Sequence, residues 1–223
     1  MYKYLLSTLT VLTLIALTAF QYKPMKIIFF GDSITEMGVQ PGGYISKLRQ
    51  LAVPVSEFDL VGKGIGGNKV YDLYLRLEND VLSQSPDVVF IYVGINDIWH
   101  KRLAGTGTDA DKFEKFYRAL IKKMKDKNIS VVLCTPAVIG ERTDNSNEQD
   151  GELNYYSGII RKLSRENDLP IVDLRKDFSE YLKQDNPQNL EKGILTTDRV
   201  HLNEEGNKLV ADSMWKVIQS LKK

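Results

Sequence analysis

The chain has two histidines, and both close the spacing D-x-x-H: Asp97-Ile98-Trp99-His100 and Asp198-Arg199-Val200-His201. An imidazole steered by a carboxylate is the usual base that takes a proton from a serine hydroxyl, which is otherwise a weak nucleophile at neutral pH. The serine placed for such chemistry is Ser33, in Gly31-Asp32-Ser33 directly after the apolar run Met25 to Phe30. Residues three apart share one side of a helical turn, so either aspartate can hold Nδ1 of its own histidine, and spacing alone does not choose. Two features favour the later pair. His100 leads into Lys101-Arg102, which reads as a solvated loop whose cations oppose protonation of the ring, whereas Asn203, just after His201, can cap the last helix and fix the turn that carries the imidazole.

Acyl transfer also needs donors aimed at the developing oxyanion, each worth roughly 3 kcal/mol in the transition state. The backbone N–H of Ser33 is one if the turn opens into a helix. Gly66-Gly67 offers a backbone that a ligand can approach closely, and Asn96 brings a side-chain amide.

These residues follow different apolar segments. Strand-like runs at 26–30, 58–61, 88–93, 131–134 and 171–174 alternate with amphipathic stretches near 43–52, 69–83, 109–127, 151–167 and 203–221. Such alternation calls for parallel strands joined by right-handed crossovers: an α/β chain folded as a three-layer α/β/α sandwich around a five-stranded parallel sheet in flavodoxin-like order. Ligands in these sheets bind beyond the carboxyl ends of the strands, where Ser33, Gly66-Gly67 and Asn96 fall.

The composition, 43% hydrophobic and 26% charged with a net charge of +1, is that of one globular domain. Basic and acidic residues are interspersed, which argues against nucleic acid or an anionic membrane as partner. The first 20 residues differ: after Lys3 the stretch from Leu5 to Phe20 carries no charge, which reads as a secretory signal peptide or an uncleaved anchor preceding a domain at 25–223. The expectation is export, periplasmic or secreted, with membrane contact only through that segment. Cys134, the single cysteine, closes an apolar run and reads as a buried strand end.

Taken together, four blocks carry a resemblance. Gly31-Asp32-Ser33-Ile34, Gly64-Ile65-Gly66-Gly67-Asn68, Gly94-Ile95-Asn96-Asp97 and Asp198-Arg199-Val200-His201 are similar, in order and spacing, to the blocks of the GDSL esterases, the SGNH hydrolase superfamily. The resemblance spans Lys26 to the C-terminus. It implies Ser33 as nucleophile, His201 as general base, Asp198 as its orienting partner, and Ser33, Gly67 and Asn96 as the oxyanion hole; Gly67 is preferred to Gly66 because it directly precedes Asn68. It implies neither metal nor organic cofactor, and a small-molecule or carbohydrate ester as substrate. The polar segment between Gly140 and Gly151 has no long apolar lid, which favours short-chain or sugar-linked O-acyl esters over long chains. Lysophospholipase or thioesterase activity of the same family, or a non-catalytic glycan-binding module, are the alternatives.

Two rival readings are weaker. Gly62-Lys63-Gly64-Ile65-Gly66-Gly67 satisfies the dinucleotide fingerprint G-x-G-x-x-G, but it follows the second strand and no acidic residue closes the next one. A metal site on Asp198 and His201 lacks supporting ligand pairs. Trp99 and the pair Tyr155-Tyr156 read as packing residues, with Trp99 close enough to Asn96 to line a pocket.

Overall fold

A computed structural model describes residues 23–53 and 57–221; the proposed leader at 1–20 lies outside the described residues. Five strands form one parallel sheet: β1 (Met25–Gly31), β2 (Phe58–Gly64), β3 (Val88–Tyr92), β4 (Ser130–Cys134) and β5 (Ile171–Val172), in the order β2-β1-β3-β4-β5. Ile27, Ile28, Phe29 and Phe30 of β1 and Val89, Phe90 and Ile91 of β3 have no exposed surface. A strand that is apolar at successive positions presents side chains to both faces, so it must be covered on both. That requirement makes β1 and β3 central and gives the expected three-layer sandwich.

The helices are α1 (Ser33–Gly38), α2 (Tyr44–Ala52), α3 (Val70–Asp80), α4 (Ile95–Leu103), α5 (Ala110–Lys125), α6 (Asp150–Asn167), α7 (Leu174–Asp185) and α8 (Glu204–Ser220). Three of them depart from the sequence reading. The run Ile95–Leu103, read as leading into a solvated loop, is helical and buries Ile95, Asn96, Asp97 and Ile98. Ser33–Gly38 is a short helix with Asp32 as its cap. Leu174, read as the end of the last strand, begins α7, which buries Leu174, Phe178 and Leu182 at fourfold spacing. Gly62, Lys63 and Gly64 lie inside β2, so the apparent dinucleotide fingerprint is half strand. Cys134 is fully buried at the end of β4, and burial pushes its thiol well above the ordinary range.

The chain passes from β1 to β2 on one side and returns to β3 on the other, which opens the switch point of the sheet between β1 and β3. The first residues past those two strands therefore face a common crevice. Among the described residues no helix is long and apolar enough to cross a membrane.

Candidate active site

Ser33 is presented by a turn that tolerates no side chain at its pivot. A Cβ on Gly31 would lie 2.3 Å from the Tyr92 carbonyl oxygen of the neighbouring strand, so only glycine lets β1 end this close to β3. Asp32 then caps α1, its Oδ1 accepting the Ile34 N–H at 3.0 Å, and Ser33 starts the helix with its N–H at the positive end. Asp32 is nearly inaccessible, and burial pushes its carboxyl up to about 7.

The turn after β2 supplies the glycines. Gly67 has φ +75°, a conformation that glycine adopts without strain, and it bends the chain back toward α3. The Gly66 N–H donates to Glu36 Oε2 at 2.8 Å and is therefore committed, which distinguishes it from Gly67. Asn96, 2% exposed on α4, donates one amide hydrogen to the Asn68 carbonyl at 3.1 Å; that bond orients the amide and leaves its second N–H.

The second D-x-x-H block is a turn, not a helix. Asp198 Oδ1 accepts the N–H groups of Val200 (3.1 Å) and His201 (2.8 Å), with Arg199, between Asp198 and Val200, at φ +85°. Oδ2 is thereby aimed at the ring, and His201 Nδ1 stands 2.7 Å from it. Nε2 of the same ring lies 3.0 Å from Ser33 Oγ. With the proton on Nδ1 shared to the carboxylate, Nε2 is the acceptor for the serine hydroxyl. Partial burial raises the Asp198 carboxyl, but the His201 ring, the His201 N–H and the Val200 N–H together outweigh it, and its pKa sits below the usual carboxylate range. Asn203 accepts the Gly206 N–H at 2.9 Å and caps α8 directly behind the turn.

The first D-x-x-H block does not pair in this way. Asp97 has no exposed surface, and both its oxygens accept the Val70 N–H at 3.2 Å. Burial pushes its carboxyl up to about 6. His100 is half-buried on α4, and its pKa is lowered by burial and then by Lys69. The expected direction of that effect is found, but its source is desolvation and Lys69 rather than the adjoining Lys101-Arg102.

His100 still borders the site: a methyl group on Gly67 would sit 3.8 Å from its Cε1. Trp99 stands between the two histidines, its ring 5.8 Å from that of His100 and 6.0 Å, edge-on, from that of His201. Trp99 thus packs against the core, as read from the sequence, and its position one helical turn after Asn96 also brings it to the site. Tyr156 is core, its hydroxyl donating to the Thr108 carbonyl, whereas Tyr155 is largely exposed and packs only edge-on against the Tyr156 ring, at 6.1 Å. Glu36, which fixes Gly66, also went unread; it sits one turn after Ser33 on α1.

A polar cleft of about 210 Å³ opens beside Arg199, lined also by Arg142, Ser146, Asn147, Gln149 and Glu191. Its wall is tied to α4 by Gln149, which donates to the Ile98 carbonyl at 2.8 Å, and by the Arg102–Glu148 ion pair.

The model of the GDSL-like lipase/acylhydrolase family matches residues 29–209. The chain belongs to that family. As a GDSL-family protein it is an ester-hydrolysing enzyme, and its relatives agree with the fold described above. The chain is 31% identical over 214 residues to the acetylxylan esterase of Geobacillus stearothermophilus, covering 86% of this chain and 93% of the relative. The crystal structure of an acetyl xylan esterase, AlAXEase, superposes with a TM-score of 0.85 at 59% identity over 86% of this chain and 99% of that one. A catalytic mutant of the Geobacillus stearothermophilus enzyme, a serine replaced by alanine, superposes with a TM-score of 0.75 at 28% identity over 89% and 96% of the two chains.

Proposed function

We propose that this GDSL enzyme is a serine esterase that removes O-acetyl groups from carbohydrate through an acyl-enzyme. The observation that carries the reading is the continuous relay from Asp198 Oδ2 to the His201 ring at 2.7 Å and from that ring to Ser33 Oγ at 3.0 Å. Ser33 Oγ attacks the ester carbonyl while Nε2 of His201 takes its proton; Asp198 stabilises the imidazolium and fixes the tautomer. The oxyanion is held by the N–H groups of Ser33 and Gly67 and the free amide hydrogen of Asn96. The imidazolium returns its proton to the departing alcohol, and a water activated by the same ring releases acetate.

Two facts support acetyl on sugar. The cleft beside Arg199, next to the Asp198–His201 turn, is lined mostly by polar side chains, which suits a hydroxyl-rich alcohol. Two relatives similar over most of this chain are acetylxylan esterases. The reading includes export, with residues 1–20 as signal or anchor before a hydrolase domain at 25–223; detection of the protein outside the cytoplasm tests that part.

The purified enzyme is expected to hydrolyse p-nitrophenyl acetate and acetylated xylo-oligosaccharides, to turn over p-nitrophenyl octanoate far more slowly, and to be labelled by a fluorophosphonate. Ser33→Ala should lose both turnover and labelling. Labelling that persists in that variant rejects Ser33 as nucleophile, and an octanoyl rate equal to the acetyl rate rejects the substrate class.

A further inference from the structure

Glu141 lies in the loop between β4 and α6, at the start of the segment after Gly140 that the sequence marks only as polar, yet it has no exposed surface. A carboxylate buried to that degree is costly unless donors surround it. Four do. Oε1 accepts the Leu195 N–H at 2.8 Å, the Thr196 N–H at 2.5 Å and the Thr196 hydroxyl at 2.7 Å, and Oε2 accepts the Ile194 N–H at 2.8 Å. All four come from three consecutive residues of the loop between α7 and α8, the loop that carries Asp198 and His201.

That loop is closed as a small hairpin. Thr196 bridges Leu202 in antiparallel fashion, and the Thr197 N–H donates to the His201 carbonyl at 2.8 Å. Glu141 thus holds one limb of the hairpin, and the turn at its tip is held beside it: the Gly140 N–H donates to the Arg199 carbonyl at 2.9 Å. Glu141 is itself anchored, its N–H donating to the Glu191 carbonyl at 3.0 Å and its carbonyl accepting from Asn186 Nδ2 at 2.8 Å. The backbone of His201 is accordingly fixed, through Thr196 and Thr197, to a charge that the loop itself does not contain.

We propose that Glu141 is a positioning residue for the Asp198–His201 pair: its carboxylate seats the hairpin at 194–202 against the loop that follows β4, so that Nε2 of His201 meets Ser33 Oγ. This rests on the relay proposed above. A displacement of the ring by about 1 Å costs on the order of 10²-fold in rate without altering how substrate is bound.

Glu141→Gln keeps the shape but turns an amide N–H₂ toward backbone donors. For the full-length enzyme acting on p-nitrophenyl acetate, Glu141→Gln is expected to lower kcat about 10²-fold with KM within threefold, and to shift or broaden the low-field proton resonance of the His201 Nδ1–H; Glu141→Asp, which restores the charge, should recover part of both. A folded Glu141→Gln protein with unchanged kcat and an unchanged resonance overturns the inference. If that variant does not fold, Thr196→Val removes a single donor and decides instead: a several-fold fall in kcat at constant KM supports the role, and an unchanged kcat overturns it. His201→Ala measured alongside separates the two levels. Activity in His201→Ala removes the relay itself, whereas an inactive His201→Ala beside a fully active Glu141→Gln removes only the role of Glu141.

Discussion

Of two aspartate–histidine pairs with the same spacing, the pair outside a helix is the one that joins. On α4 the backbone N–H groups of Trp99 and His100 are already bonded within the helix, so Asp97 turns inward, where both its oxygens accept the Val70 N–H at the start of α3. In the turn at 198–201 the backbone N–H groups of Val200 and His201 are free, and by capturing them Asp198 orients its other oxygen toward the ring. The sequence made His201 the better choice through Asn203, and the cap is present; the argument from His100's neighbours rested on a loop that is a helix. Asn96→Ala is expected to lower kcat about 10²-fold with little change in KM, because a donor aimed at the oxyanion acts in the transition state; equal losses in kcat/KM and binding would argue against it. Asp198→Asn should preserve the fold and reduce kcat by roughly 10³- to 10⁴-fold through loss of the required tautomer, a comparison read directly from steady-state rates.

At the scale of elements, the strands were legible because β1, β3 and β4 are short unbroken apolar runs, and the long amphipathic helices α5, α6 and α8 because their buried positions recur at helical spacing. What escaped were the elements that carry chemistry. α1 is only six residues long, and its cap, Asp32, sits in a tripeptide that also reads as a turn. α4 buries Asn96 and Asp97, polar residues that break an apolar pattern, and the site depends on that breach. The link between α4 and the loop after β2, through Asn96 and the Asn68 carbonyl, joins residues 28 apart and has no periodic signature. The Asn203 cap supports both α8 and the hairpin before it. Asn203→Ala is expected to cost about 1 kcal/mol of stability, read as a lower midpoint in urea, with kcat reduced less than in Asp198→Asn; an unchanged midpoint would show that the hairpin holds without the cap.

For the molecule as a whole, the crevice concentrates ionisable groups that the core does not solvate. Asp32 is raised to about 7 and Asp97 to about 6, each chiefly by burial. A carboxyl raised in the folded state binds more protons folded than unfolded between its ordinary pKa near 4 and its raised value, so its contribution falls as pH rises through that window. Asp173 and Asp198 act in the opposite sense: each is partly buried, but hydrogen-bonded partners, Arg161 in the one case and His201 in the other, hold it below the usual range, and their contribution is lost toward acid. The difference between wild type and Asp32→Asn isolates the first effect. Asparagine keeps the cap, so the variant should gain stability relative to wild type between pH 4 and pH 8, by an amount on the order of 4 kcal/mol at about 1.36 kcal/mol per unit; urea midpoints that stay parallel across that range would contradict it. Ser33 follows β1, Gly67 follows β2, Asn96 follows β3 and His201 lies in a hairpin far along the chain, and the claim that they work together turns on which imidazole moves the proton. The most direct measurement is the turnover of p-nitrophenyl acetate by His201→Ala and His100→Ala at saturating substrate: the relay requires a loss of about 10³-fold or more in the first and a rate within tenfold of wild type in the second, and the reverse pattern, or near-normal turnover by His201→Ala, would contradict it.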